Sequence, residues 1–216
     1  MQSEIMAAGF RDYEIQYVNE GIPAHEPKYY FEVERELMEQ FWTIKKDEVV
    51  VDVGAAFGSW SIPALKADAR VYAYEPHPVL YSLLKRNVAL NDLTDKFHAM
   101  NLPLWSSRVT LTLPVYDLSM MINERSKTQP ALMVSTKTLD DDLADIDRLD
   151  WIKIDTEGAE IEILKGAQTL IKKFNPYIIV EWHADRNKDP EMKYLKDNYE
   201  SIQQIDAGHY LVQMHK

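Results

Sequence analysis

The chain has 216 residues, a length typical of one domain that buries a substantial core. Its 35 acidic residues against 24 basic ones give a net charge of -11, which disfavours nucleic acid as a partner because basic surfaces recognise phosphates. Cysteine is absent, which excludes disulfides, thiolate metal sites and cysteine nucleophiles.

The N-terminal region predicts an arm followed by a helix. The residues before about position 25 mix aromatic side chains with Gly21 and Pro23, a composition typical of an irregular arm. From Tyr29 to Trp42 the apolar residues share one helical face. We therefore divide the chain into residues 1–45, an arm and helix that pack on the core or form a lid, and residues 46–216, the main domain.

The stretch "EVVVDVGAAFGSWSIPALK" predicts a strand, a turn and a helix. Its valines form a run interrupted only by Asp52, which indicates a strand buried on both faces and therefore a parallel sheet. Gly54 and Gly58 lie in the turn before a helix from Ser61 to Lys66, and such turns commonly bind nucleotides. The alternative is an ordinary tight turn with a capping aspartate.

Further strand and helix units follow along the chain. "RVYAYEP" predicts a second strand ending at Glu75, and the helix after it closes near Asn91, where we expect Asn87 and Asn91 to have structural roles. Four further segments predict strands or hairpins: "KFHAMNL", "RVTLTLPVYDL" with Pro114 inside it, "WIKI" ending at Asp155, and "PYIIVEWH" ending at Glu181 and His183. A final hairpin is predicted for "SIQQID" and "HYLVQM", and a polar loop is predicted for residues 119–130. The pattern indicates an α/β fold.

The acidic residues at the strand ends limit the class of ligand that the turn can bind. No lysine follows Gly58, so the turn lacks the cation of a triphosphate-binding loop, and its spacing departs from the dinucleotide fingerprint. Asp52 suits a cationic ligand, whereas Glu75 is placed to accept hydrogen bonds from ribose hydroxyls. Together they favour an adenosine that carries positive charge. For Glu75 the alternative is a capping role before Pro76.

Six motifs, in this order, resemble the FkbM-type methyltransferases: "VVVDVGAAFGSWS", "VYAYEPHP", "LLKRNVALN", "TLDD", "WIKIDTEGAEIEILKGA" and "PYIIVEWH". The resemblance implies a Rossmann-like class I methyltransferase fold, a seven-stranded, mostly parallel sheet with a C-terminal antiparallel hairpin and helices on both faces. It implies S-adenosylmethionine as cofactor, held by Asp52, Gly54, Ala55 and Gly58, with Glu75 on the ribose. An alternative to a catalytic role for Asp155 is contact with the methionine part of the cofactor or with the acceptor. Ala56 stands where such methyltransferases commonly have glycine.

Methyl transfer to oxygen requires the acceptor to lose a proton. We predict Asp155, Glu157 and His183 as catalytic residues, with His183 as general base because its ordinary pKa is about 6.5. Glu181 or Asp155 could orient it. The alternatives are a surface histidine, and helix first-turn acids in the case of Glu157.

No metal site is predicted. Mg²⁺ at Asp140, Asp141 and Asp142 is possible, but a capped, solvated helix start after Thr138 is favoured. The remaining histidines, His25, His77, His98, His209 and His215, have no ligand spacing and receive no role.

The sequence therefore predicts an S-adenosylmethionine-dependent O-methyltransferase acting on a hydroxyl of a small molecule or a sugar unit of a glycoconjugate. The rival functions are methyl transfer to nitrogen or nucleic acid, a non-catalytic cofactor-binding or scaffolding module, and an NAD-dependent oxidoreductase. No apolar run is long enough to cross a bilayer and the N-terminus lacks the pattern of a signal peptide, so we expect a cytoplasmic location without membrane insertion.

Overall fold

The computed structural model describes residues 4–10, 13–19, 34–114, 131–156, 158–182 and 189–214. The strands in these residues are β1 Glu4–Phe10, β2 Tyr13–Asn19, β3 Val49–Val53, β4 Arg70–Tyr74, β5 Phe97–Met100, β6 Thr110–Pro114, β7 Ala131–Ser135, β8 Trp151–Ile154, β9 Tyr177–Glu181, β10 Ser201–Gln204 and β11 His209–Gln213. The helices are α1 Arg35–Phe41, α2 Ser61–Lys66, α3 Pro78–Leu90, α4 Leu139–Asp142, α5 Glu160–Lys165, α6 Gln168–Phe174 and α7 Asp189–Asn198. None of these helices has the length and apolar character needed to span a membrane.

Seven strands form one central sheet in the order β10-β11-β9-β8-β3-β4-β5. The pairs from β9 to β5 are parallel, whereas β11 runs antiparallel to both of its neighbours. The predicted fold class and C-terminal hairpin are therefore confirmed. Because the chain leaves β3 toward β4 on one side and returns to β8 on the other, the strand order reverses between β3 and β8. Ligands of open α/β sheets bind at the carboxyl end of such a reversal.

The apolar residues of the central strands alternate between two cores, one on each face of the sheet. Every residue of β3 and β8 is buried, as expected for strands covered by helices on both sides. One face packs against α1, α2 and α3, and the other against α4, α5, α6 and α7. The single helix predicted after Asp155 is divided at Gly166, the C-cap residue of α5. A Cβ at that position would lie 2.2 Å from the Trp105 carbonyl oxygen, so the close packing there requires glycine.

The N-terminal arm is not irregular where the structure describes it. β1 and β2 form an antiparallel hairpin, and its buried side chains Ile15 and Tyr17 join the core beside α3. Asn87 accepts a hydrogen bond from the Val18 amide at 2.8 Å, and Asn91 accepts one from Gln16 at 3.0 Å. The structural roles predicted for both asparagines are thus confirmed, whereas the division at residue 45 stays a prediction.

A second, separate hairpin pairs β6 with β7. The stretch "RVTLTLPVYDL" was predicted to form a hairpin or edge insertion with Pro114 inside it; instead it supplies one strand, which ends at Pro114, and the partner strand comes from Ala131–Ser135. The predicted polar loop at 119–130 lies outside the described residues, as do residues 29–33 at the start of the predicted first helix.

Candidate active site

The glycine turn after β3 folds over the end of β4. The amides of Gly54 and Ala55 both donate to the Tyr74 carbonyl, at 2.9 and 3.1 Å. The Asp155 amide donates to Val53 at 3.0 Å and so fixes the end of β8 beside the same turn. Three of the strand ends predicted to carry the site therefore meet at one edge of the sheet.

Glu75 is buried against this turn. Its Oε2 accepts from the Ala56 amide and its Oε1 from the His77 amide, each at 2.8 Å. Burial raises the pKa of the Glu75 carboxyl to about 7. His77, which received no role from the sequence, is the N-cap residue of α3. The capping alternative for Glu75 is therefore seen in part, and the same carboxylate also faces the turn.

Asp52 has an internal cation as its nearest charge. Its side chain is fully buried, and its Oδ2 accepts from the Ser61 hydroxyl at 2.6 Å at the start of α2. Its Oδ1 has no hydrogen-bond partner among the described residues and lies 3.9 Å from Lys153 Nζ. Asp52 is thus tied to the first residue of α2, and the cation beside its carboxylate is Lys153.

Lys153 is a site residue that the sequence reasoning missed. Its side chain is 3% exposed, and its ammonium donates to the Gly54 carbonyl and to Asp155 Oδ2, both at 3.3 Å. Burial opposes its charge, but the carboxylates of Asp155, Asp52, Glu34 and Glu181 outweigh burial and raise its pKa. The available signal was a lysine inside the otherwise apolar strand "WIKI", since a buried charge requires partners.

The glycines of the turn are required by close packing and backbone geometry. At Gly54, φ is +78° and a Cβ would lie 1.7 Å from the Asp155 carbonyl oxygen. At Gly58, φ is +99° and a Cβ would lie 3.0 Å from Leu84 Cδ1 on α3. Ala56 also has a positive φ, +48°, a backbone conformation that glycine adopts more readily than alanine.

The loop after β8 is shaped by a buried glutamate. Glu160 Oε1 accepts from the Thr156 amide and hydroxyl, each at 3.2 Å, and from the Gly158 amide at 2.8 Å. This loop leaves Asp155 half-buried at the edge. The other two predicted catalytic residues, Glu157 and His183, lie outside the described residues, so their roles stay predictions.

The acidic run Asp140, Asp141 and Asp142 is occupied by contacts within the protein. Thr138 Oγ1 accepts from the Asp141 amide at 3.0 Å, as the favoured helix-start interpretation predicts. Asp140 accepts from two amides at the start of α6, and Asp142 accepts from the Tyr74 hydroxyl at 2.8 Å. These carboxylates join α4 to its neighbours.

Two further acidic or basic groups reach the same edge from distant parts of the chain. Glu34 accepts from Trp60 Nε1 at 2.6 Å, and burial raises the pKa of its carboxyl to about 7. His209, which received no role in the sequence analysis, pairs across the sheet with Glu181. The pairing of β9 with β11 brings His209 to Glu181, and the packing of α1 brings Glu34 to the same edge, whereas no sequence spacing relates them.

Curated methyltransferases are similar to this chain. Methyltransferase sdnD of Sordaria araneosa is 27% identical over 185 residues, covering 69% of this chain and 71% of that protein. Hexuronic acid methyltransferase AglP of Haloferax volcanii is 25% identical over 159 residues, covering 71% of this chain and 63% of that protein.

Solved structures share the fold. The methyltransferase FkbM of Methylobacillus flagellatus KT has a TM-score of 0.58 and 20% identity, over 87% of this chain and 50% of that one. The 16S rRNA N2 G1207 methyltransferase of T. thermophilus, in complex with AdoMet and guanosine, has a TM-score of 0.58 and 12% identity, over 99% of this chain and 51% of that one. This chain spans about half the length of either.

The family model of the Methyltransferase FkbM domain matches residues 52–207. This range begins at the buried Asp52 before the glycine turn and extends to the loop before β11, so it includes Glu75, Lys153 and Asp155. It covers more than two thirds of the sequence, and the chain therefore belongs to the FkbM methyltransferase family.

Proposed function

We propose that the protein is an S-adenosylmethionine-dependent methyltransferase whose cofactor lies on the turn from Gly54 to Gly58 with its ribose on Glu75. The observation that supports this placement is the contact between Glu75 and the Ala56 amide. It puts a buried carboxylate, able to accept hydrogen bonds, beside the turn where the strand order reverses. When bound, the cofactor supplies a methyl group on a positively charged sulfur atom. Asp52 and Ala55 would shape the turn, and Asp155 would lie at its open side.

We further propose that the acceptor is a hydroxyl of a small molecule or of a sugar unit. The name of the relative AglP, a hexuronic acid methyltransferase, supports a sugar. Asp155 is half-buried at the same edge, where its carboxylate could take up the proton of a hydroxyl. His183 and Glu157 remain candidates for this role from the sequence, with His183 as the preferred base.

The test is a calorimetric titration with S-adenosylhomocysteine, followed by a methyl-transfer assay. We expect saturable binding of S-adenosylhomocysteine, whereas NAD and ATP, the two controls, should not bind. The assay compares a neutral hexoside, a hexuronic acid and an amino sugar, and we expect methylation of oxygen. His183→Ala should retain cofactor binding and slow transfer. Binding of NAD instead, or binding without transfer to any acceptor class, would count against the proposal.

Cofactor affinity is expected to depend on pH through Glu75. Its carboxyl has a pKa of about 7 in the folded protein, and ribose hydroxyls donate to the ionised form, so binding favours loss of the proton. The affinity for S-adenosylhomocysteine should therefore rise by about tenfold between about pH 6 and about pH 8. In the absence of ligand, the stability of the folded protein depends on pH in the opposite direction. The raised pKa of Glu75 means that the stability contributed by its protonated carboxyl is lost as the pH rises from about 4.5 through about 7.

The control for this prediction is Glu75→Gln, which keeps the shape of the side chain and cannot ionise. We expect weaker binding with a flat pH profile, measured by the same calorimetry after thermal melting has verified folding. An unchanged pH profile in Glu75→Gln would mean that another group titrates, and that Glu75 does not hold the ribose.

A further inference from the structure

Three ligand-type side chains converge beside the proposed acceptor position. Glu34 precedes α1, Glu181 ends β9, and His209 begins β11 directly opposite Glu181. One oxygen or nitrogen atom from each lies within 4.8 Å of the other two, and His209 Nε2 is 3.4 Å from Glu181 Oε2. Two ligand atoms that each lie about 2.0–2.2 Å from a common ion are about 3–4 Å apart, which is the spacing of the His209–Glu181 pair.

The histidine is held in the orientation that a metal ligand needs. Asp206 Oδ2 is 2.8 Å from His209 Nδ1, and Asp206 is itself fixed by the amides of Gly208 and His209, at 2.7 and 2.6 Å. In the neutral tautomer that carries its proton on Nδ1, toward Asp206, the Nε2 lone pair would be available on the side of Glu181. Nε2 is buried and has no hydrogen-bond partner within the described part of the chain.

The first glutamate has an orienting partner of its own. Trp60 Nε1 donates to Glu34 Oε2 at 2.6 Å and so holds the direction of this carboxylate. Metal-binding histidines and carboxylates are commonly oriented by outer hydrogen bonds of this kind. The arrangement thus contains an outer shell, Asp206 and Trp60, that a chance cluster of acids would lack.

We propose that Glu34, Glu181 and His209 form a three-ligand site for a divalent transition-metal ion. One imidazole and two carboxylates suit Zn²⁺ or Mn²⁺, whereas Mg²⁺ prefers oxygen ligands alone. Three protein ligands leave a coordination position open for water or a substrate oxygen. The charge balance agrees, since four carboxylates, those of Asp52, Asp155, Glu34 and Glu181, act electrostatically on one internal cation, Lys153.

The site adjoins the proposed reaction centre. The side chains of Glu181 and Asp155 interact, so a metal here would lie beside the half-buried carboxylate that faces the acceptor. A metal-bound hydroxyl loses its proton more readily, and a metal would also offset the repulsion between these acids and an anionic sugar. This role rests on the proposed function, whereas the binding of metal does not.

The experiment is a metal titration of the whole chain after removal of metals with a chelator. ZnCl₂ and MnCl₂ are titrated by calorimetry at about pH 8, where protons compete least for histidine, and MgCl₂ is titrated in parallel. We expect one equivalent of Zn²⁺ or Mn²⁺ to bind, with Mn²⁺ also visible by electron paramagnetic resonance. Glu34→Gln should weaken binding at least tenfold, and Asp206→Asn by about 10–100-fold.

The matched control is Glu36→Gln, which removes the same charge from an exposed position two residues away. It should bind metal as the parent chain does. Absence of Zn²⁺ and Mn²⁺ binding, equal loss in both glutamine variants, or tighter binding of Mg²⁺ would each overturn the proposal. S-adenosylhomocysteine is titrated into the same samples. Loss of metal binding and loss of cofactor binding are thereby measured independently of each other.

Discussion

Gly54→Ala is expected to destabilise the protein by about 3 kcal/mol or more, and to abolish binding of S-adenosylhomocysteine. The new Cβ would lie 1.7 Å from the carbonyl oxygen of Asp155, and that carbonyl belongs to backbone that cannot rotate away. The positive φ of +78° adds strain for any residue with a side chain. Urea unfolding followed by circular dichroism measures the loss of stability.

Gly9→Ala is the matched control for this substitution. It adds the same methyl group in β1, where a Cβ would meet no atom within 4 Å. We expect its unfolding midpoint to stay near that of the parent chain. If Gly54→Ala folded with normal stability but bound no cofactor, the added methyl would be filling the ligand turn, and its collision with β8 would be the wrong explanation.

Lys153→Met is expected to cost about 3–5 kcal/mol of folding free energy. The substitution keeps most of the side-chain volume but removes the cation that faces Asp52 and Asp155, at 3.9 and 3.3 Å. Because the lysine is 3% exposed, water cannot replace it as the partner of these carboxylates. Urea unfolding at neutral pH measures the effect.

Two further variants identify the cause. Adding Asp52→Asn to Lys153→Met should recover part of the lost stability, since the uncompensated charge is removed as well. Lys137→Met, which breaks a half-exposed pair with Asp142, should change the free energy of unfolding by less than about 1 kcal/mol. No recovery in the double variant would show that Asp52 is not the partner of Lys153.

The fold could be predicted from local patterns because its strands are buried runs bounded by punctuating residues. The sheet, the helices and the final hairpin were predicted from the valines of β3, the prolines around α3 and the motifs of the FkbM family. The β1–β2 hairpin was not predicted, because the contacts that hold it come from side chains distant in sequence. Asn87 and Asn91 hold it from α3, and no short-range signal reports that contact.

The site could be predicted only as far as it follows strand ends. Asp52, Glu75 and Asp155 were found because a parallel sheet brings successive carboxyl ends to one edge. Lys153 was hidden inside an apolar strand, and His209 comes to Glu181 only through the antiparallel return of β11. Predicting those neighbours requires the register of strands that are distant in sequence.

A single amide connects two parts of the molecule that the sequence separates widely. Asn87 accepts from Val18 on the hairpin through its oxygen and donates to the Phe57 carbonyl in the glycine turn through its nitrogen, at 2.8 and 2.9 Å. Docking of the hairpin and the shape of the turn are therefore energetically coupled, and such coupling is reciprocal. A ligand that orders the turn is therefore expected to stabilise the docking of the N-terminal hairpin. Conversely, a substitution that loosens the hairpin should weaken binding of that ligand.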